Sequence, residues 1–195
     1  VFRLASISFR AITTAREDAR TLWRHIPQGQ SASTRLATWY LLAPFAGRRW
    51  DLVYFPWISH AITLLPLFEL GMPVTISCRG AQVNIAPHNP RRDEFRTGLR
   101  ATLEQAAAVH CVSQNILWDA EVWGLNPIKA RIIHPAVDPE FFSSSPESLK
   151  SKGTFRIITT GSLIWRKGLE YALLAVRILK DAGVPYFTVS GKEFY

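Results

Sequence analysis

The run Gly161-Ser-Leu-Ile-Trp-Arg-Lys167-Gly168 joins a β-rich stretch, FRIITT at 155–160, to a helical pattern that opens at 168. A glycine at a strand end lets backbone come close to a ligand. The helix start that follows offers free N–H groups and the positive end of a dipole, and Lys167 adds a full charge at the same place. Together these features suit a diphosphate, with Gly161 and Ser162 supplying backbone and hydroxyl contacts and Arg166 a second cation. The same residues also describe a plain glycine turn beside a solvated Arg-Lys pair. Arg79-Gly80 follows the apolar run VTISC at 74–78. An arginine there can grip a phosphate or carboxylate through two parallel hydrogen bonds, or cap a helix carboxyl end. His60 lies a short turn beyond DLVYF at 51–55, where an imidazole can act as a base toward an acceptor hydroxyl or simply satisfy a helix start. It is the one catalytic candidate, and the catalytic residues are otherwise unassigned. His110 and His134 read as structural, and Cys78 and Cys111 as packing residues in core strands.

Other chemistries find no support. The five histidines are scattered, with no i,i+4 pair, and there is no Cys-x-x-Cys, so no metal site is expected. No Walker loop, G-x-G-x-x-G or nucleophile elbow occurs, which argues against a dinucleotide-dependent dehydrogenase; no cofactor is expected. Two cysteines are too few for a disulfide framework, so a reducing, cytoplasmic setting is the expectation. The net charge of +8 fits nucleic acid, an anionic membrane surface or an anionic substrate. Basic residues are spread along both halves without an RNA- or DNA-binding pattern, so no nucleic-acid partner is expected, although a basic nucleic-acid-binding protein remains the non-enzymatic alternative. Seven tryptophans suit a lipid interface, and peripheral contact with an anionic inner membrane face is expected. The apolar stretch at 62–70 is too short and too interrupted to span a bilayer.

These residues need elements to hold them. Helices are expected at 15–25 and 35–46, the second capped by Ser33 or Thr34. From 51 onward the pattern becomes regular, with strands at 51–55, 74–78, 109–112 and 130–133. Helices are expected at 59–70, at 93–107 and from Ser113 to Gly124, with an irregular loop over 79–90. Alternation of this kind, with strands nearly all apolar, predicts a parallel sheet covered on both faces, whose ligands bind beyond the strand carboxyl ends. A Pro- and Ser-rich linker follows, and βαβ begins again with strands at 155–160 and 187–190 around a helix at 168–182. The predicted organisation is a partial Rossmann-like domain at 1–137, a linker at 138–153 and the start of a second such domain at 154–195. The sole methionine is Met72, and the chain is expected to be a fragment or a processed product.

The combination resembles the GT-B glycosyltransferases, and family 4 most of all. Ile133-His-Pro-Ala-Val-Asp138-Pro-Glu-Phe141-Phe142 is similar to that family's linker motif, and Gly161–Gly168 to its "G-R-L-x-x-x-K-G" turn. Cys111-Val-Ser-Gln is similar to a strand end of the first domain, and Ile76-Ser-Cys-Arg79-Gly80-Ala-Gln82 to its "H/R-G-x-D" loop. The likeness runs over about 51–191. Two departures stand out: Ser162 replaces a basic residue and Gln82 an acidic one. The resemblance implies a retaining, metal-independent hexosyltransferase moving sugar from a nucleotide-sugar to a hydroxyl on a glycan or lipid-linked glycan. It places donor contacts at Gly161, Ser162, Arg166 and Lys167, and acceptor-side contacts at Arg79, Gly80 and Gln82. A GT-B relative such as a nucleotide-sugar 2-epimerase is the alternative. The family's Gly-rich first loop and its Glu-x7-Glu segment are both outside the sequence, so the chain is expected to be inactive alone.

Overall fold

The computed structural model describes residues 13, 15–143, 155–159, 161–184 and 187–190. The chain divides into two compact units, Val1–Ala136 and Val137–Tyr195. The first holds a four-stranded, wholly parallel sheet in the order β1-β2-β3-β4: β1 Val53–Phe55, β2 Val74–Cys78, β3 Ala108–Cys111 and β4 Ala130–Ile132. The second holds the parallel pair β5 Phe155–Ile158 and β6 Phe187–Ser190. The fold class is therefore α/β, with the Rossmann-like pattern of strand and helix that the sequence predicts.

Two helices precede the sheet. In α1, Arg16–Arg24, the residues Ala19 and Leu22 face inward. Asp18 is buried with them. Its carboxylate accepts from the Gly47 N–H at 2.8 Å and from both terminal nitrogens of Arg49 at 2.7 and 3.0 Å. These bonds to Arg49 hold the Asp18 carboxyl below the ordinary carboxylate range against the opposing cost of burial. α2 is Ala32–Leu42, so it starts three residues before the expected 35, and its cap is Ser31, not Ser33 or Thr34; Ser31 Oγ accepts from the Thr34 N–H at 3.3 Å. It ends at Leu42 because Pro44 has no N–H to donate to the carbonyl four residues back; a 3-10 turn, Ala43–Phe45, completes the segment.

The same effect divides the helix expected at 59–70. It is α3, Ile58–Thr63, followed by a 3-10 stretch, Leu65–Leu70, with Pro66 in its first turn and Gly71 in left-handed conformation (φ 76°) at its end. The loop expected at 79–90 holds a short α4, Ala81–Asn84, and a 3-10 turn, Ala86–His88. α5 is Asp93–Gln105, and α6 is Gln114–Val122, capped as expected by Ser113, whose Oγ accepts from the Ile116 N–H at 3.3 Å. α7, Leu169–Asp181, lies between β5 and β6. Much of the expected linker, 144–153, lies outside the described residues.

Among the described residues the two faces of the first sheet differ in character, one apolar and packed under helices, the other bearing polar side chains. Ile76, Cys78, Val109 and Cys111 are buried under α3, α5 and α6 together with Ile58, Leu99 and Leu103. Tyr54 is exposed and His110 half-buried on the opposite side, where side chains alternate along the strands. Strand order explains this. Parallel strands paired in sequence order, joined by crossovers of the usual right hand, send every connecting helix to one face.

Candidate functional site

Carboxyl-end residues of β1, β2 and β3 meet in a polar network. Arg79 Nε donates to Ser77 Oγ at 3.0 Å, and Ser77 Oγ lies 3.0 Å from His110 Nδ1. The Tyr54 hydroxyl reaches the same nitrogen at 3.3 Å, while His110 Nε2 is 2.9 Å from the Ile133 carbonyl oxygen. A carbonyl only accepts, so the ring carries its proton on Nε2 and Nδ1 accepts from the hydroxyls. Ser77 thus accepts from Arg79 and donates to His110, and it is almost fully buried. The Arg79 guanidinium stacks on Trp57, 5.7 Å from the ring centroid, and its two terminal nitrogens make no hydrogen bond among the described residues. Gly80 takes φ 123°, ψ −115°, a conformation that needs glycine. Gln82 reaches back to α3: its amide donates to Ser59 Oγ at 2.8 Å and accepts from the Ser59 N–H at 3.3 Å. His60, next in the chain, is exposed, and its imidazole has no hydrogen-bond partner among the described residues. His134, read as structural, donates from Nδ1 to the Val112 carbonyl at 3.1 Å.

The second unit carries the glycine turn. Gly161 has φ 152°, and the aliphatic stem of Lys167 lies across it: a Cβ added at Gly161 would sit 3.7 Å from Lys167 Cε. Ile164 N–H donates to the Ser162 carbonyl and Lys167 N–H to the Ile164 carbonyl, both at 2.9 Å, closing the turn. A 3-10 turn, Trp165–Lys167, leads through left-handed Gly168 (φ 61°) into the 13 residues of α7, whose start has no side-chain cap. Gly161, Ser162 and Lys167 therefore share one exposed turn. Of Arg166 the described part is backbone only. Glu170, in the first turn of α7, is the acidic group nearby.

Asp138, in the segment before the expected linker's end, caps its own turn, accepting from the Glu140 and Phe141 N–H groups at 3.0 and 3.2 Å. Cys78 and Cys111 are paired across β2 and β3, and their mutual hydrogen bond, with burial, pushes the Cys78 thiol up. Among the described residues no cluster of His, Cys, Asp or Glu can hold a metal ion, and no helix is long and apolar enough to cross a membrane.

The chain is similar to the crystal structure of HepE from Anabaena in complex with UDP, at 14% identity and a TM-score of 0.52, over 73% of this chain and 48% of that one. The two share a fold. A second HepE structure, in complex with UDP-glucose, aligns at 14% identity and a TM-score of 0.47, over 74% and 49% of the respective chains. The chain thus spans about half the length of these proteins. No family model matches it, and no curated protein does either.

Sequence reading misses two parts of the polar network, Trp57 beneath Arg79 and the Ser77–His110 pair. One signal was present: Thr75 and Ser77 alternate with apolar residues in β2, as His110 does in β3, marking a polar sheet face.

Proposed function

We propose that this chain forms part of a nucleotide-sugar-dependent glycosyltransferase of GT-B type, close to family 4. It retains configuration at the transferred carbon and needs no metal. In the reaction the bond from the sugar C1 to the diphosphate oxygen breaks, the acceptor hydroxyl oxygen bonds to C1, and its proton passes by way of the candidate base to the departing nucleoside diphosphate. Negative charge gathers on that leaving group. Lys167 and the free N–H groups at the start of α7 are the groups to stabilise it, because both are held in place before charge develops. Gly161 admits the phosphates, Ser162 supplies a hydroxyl, and Arg166 adds charge at the turn. Arg79, Gly80 and Gln82 form the acceptor side, with His60 beside Ser59 as the candidate base. The acceptor is a hydroxyl on a glycan or lipid-linked glycan, and the enzyme works in the cytoplasm.

The observation that carries this reading is the Lys167 stem laid across Gly161 at the mouth of α7. The shared fold with a protein solved in complex with UDP supports it. The test is Lys167→Ala, read by UDP binding and by sugar transfer. Losing a charge-assisted hydrogen bond costs about 1.5–3 kcal/mol, so UDP affinity and sugar transfer should fall about 10- to 150-fold. Lys167→Arg should retain part of both. Unchanged binding in Lys167→Ala would sink the donor assignment, and isomerisation of free nucleotide-sugar without acceptor would replace transfer by epimerisation.

A further inference from the structure

The polar network at the carboxyl ends of β1, β2 and β3 has more hydrogen-bond donors than it can use. Ser77 Oγ and the Tyr54 hydroxyl both approach His110 Nδ1, at 3.0 and 3.3 Å. A neutral imidazole offers one lone pair there, because its proton sits on Nε2 toward the Ile133 carbonyl. Ser77 makes the shorter bond and is almost wholly buried, so its hydroxyl holds that lone pair. The Tyr54 proton is left over, on a side chain that is 45% exposed. Arg79 is fixed twice: its Nε is bound to Ser77, and its guanidinium plane lies on Trp57. The two terminal nitrogens of Arg79 donate to nothing among the described residues.

Room and charge agree with this surplus of donors. A Cβ placed on Gly80, the residue after Arg79, would find nothing within 4 Å. From Leu52 to Arg92 the single acidic residue is Glu69, and it pairs with His25 at 2.8 Å. No Asp or Glu lies between Gln105 and Trp118 either. The strand ends therefore present a fixed cation and a spare hydroxyl proton with no carboxylate bound to them. A sugar hydroxyl both donates and accepts, so donors alone serve it poorly. An ionised carboxylate or phosphate accepts, and it matches a guanidinium through two parallel hydrogen bonds.

We propose that this is a binding site for an anionic group on the acceptor, a carboxylate or a phosphate, held by the terminal nitrogens of Arg79 and by the Tyr54 hydroxyl. His110 is a positioning residue. Through Ser77 it aims Arg79, and by accepting from Ser77 it leaves the Tyr54 proton for the ligand. That the bound molecule is the sugar acceptor rests on the sugar-transfer reading; the preference for an anion does not.

The experiment is calorimetric titration of the 195-residue chain with glucuronate, glucose 6-phosphate and glucose, and separately with UDP. At least one of the two anionic sugars should bind about 10- to 100-fold tighter than glucose, and the tighter of them tells carboxylate from phosphate. Arg79→Gln should abolish the preference. Tyr54→Phe, which removes the hydroxyl alone, should reduce it about three- to tenfold. His110→Gln keeps a donor for the Ile133 carbonyl but loses the Nδ1 acceptor, and it should reduce the preference while leaving glucose binding unchanged. Tyr54 and Arg79 are exposed, and thermal melts matching the parent would show that their variants fold. Equal binding of the three sugars, or a preference that survives Arg79→Gln, would overturn the proposal. A lowered melting temperature in His110→Gln with the preference intact would overturn the positioning role. UDP separates the two readings: an anion preference without UDP binding keeps this site and counts against the donor turn, and UDP binding without the preference does the reverse.

Discussion

Asp18 is a carboxylate removed from water and sustained by two neighbours, the Arg49 guanidinium and the Gly47 N–H. Its pKa is lowered on folding, chiefly by the hydrogen bonds from Arg49. The unfolded carboxylate, near 4, therefore binds a proton more readily than the folded one. The stabilisation is complete above that value and is lost as the pH falls through the depressed folded pKa. Urea unfolding followed from pH 7 down to 3 should show stability declining below about pH 4, and Asp18→Asn should flatten that decline while costing about 1–3 kcal/mol at neutral pH. A pH profile unchanged by the substitution would remove Asp18 from the account. Single residues were unevenly legible in the sequence. Ser113 was readable as a cap because one hydroxyl preceded the helical pattern. Ser31 was not, since three hydroxyls compete within four residues, 31–34, and only backbone geometry selects among them. The ties from Gln82 to Ser59 and from Ser77 to His110 join residues 23 and 33 apart, and no local pattern reveals them.

Helices α3 and α5 approach closely at Gly98. A Cβ placed there would come within 2.5 Å of Ile62 Cγ2, on a stiff β-branched side chain. Alanine ordinarily favours a helix over glycine by about 1 kcal/mol. Here overpacking should win: Gly98→Ala is expected to destabilise the chain by about 1–3 kcal/mol, and Ile62→Ala in the same chain should recover part of that loss. A stabilised Gly98→Ala in thermal unfolding would mean that the two helices separate freely. The number and type of elements were readable because Gly71, Gly124 and Gly183 mark segment ends, each with positive φ. Their internal breaks were less so. Pro44 and Pro66 each turn the end of an expected helix into a 3-10 stretch. α4 was hidden inside a loop rich in Gly, Asn and Pro because four residues carry no detectable period.

At the scale of the molecule, the two units differ in how far they bury apolar side chains. In the first, Ile76, Leu99, Leu103 and Val109 lose contact with water entirely. In the second, α7 has no buried residue, although Leu173, Leu174 and Ile178 are all large and apolar. Ile157, Leu163, Leu169, Ala172, Leu173 and Val176 line an open apolar groove beside it. Exposed apolar surface of this kind drives association. Light scattering of the chain should reveal concentration-dependent association that strengthens with added sulfate, and Leu173→Lys/Ile178→Lys should raise the onset concentration at least tenfold. Unaltered onset would place the sticky surface elsewhere. Alternation of strand and helix made the α/β class legible before any coordinates. The strand order was not, because it is fixed by pairings that the sequence does not display.

The two cysteines offer a clock for the sheet itself. Cys78 and Cys111 sit side by side on the central strands, fully shielded from water. A thiol reagent reaches them only when β2 and β3 separate or the helical layer lifts. Modification at neutral pH should therefore be slow, and both sulfurs should react in one phase, since a single opening bares both. Its rate relative to that of the unfolded chain gives the fraction of time the sheet centre spends open. Fast labelling of one cysteine alone would mean that the helical cover frays locally while the strands stay paired.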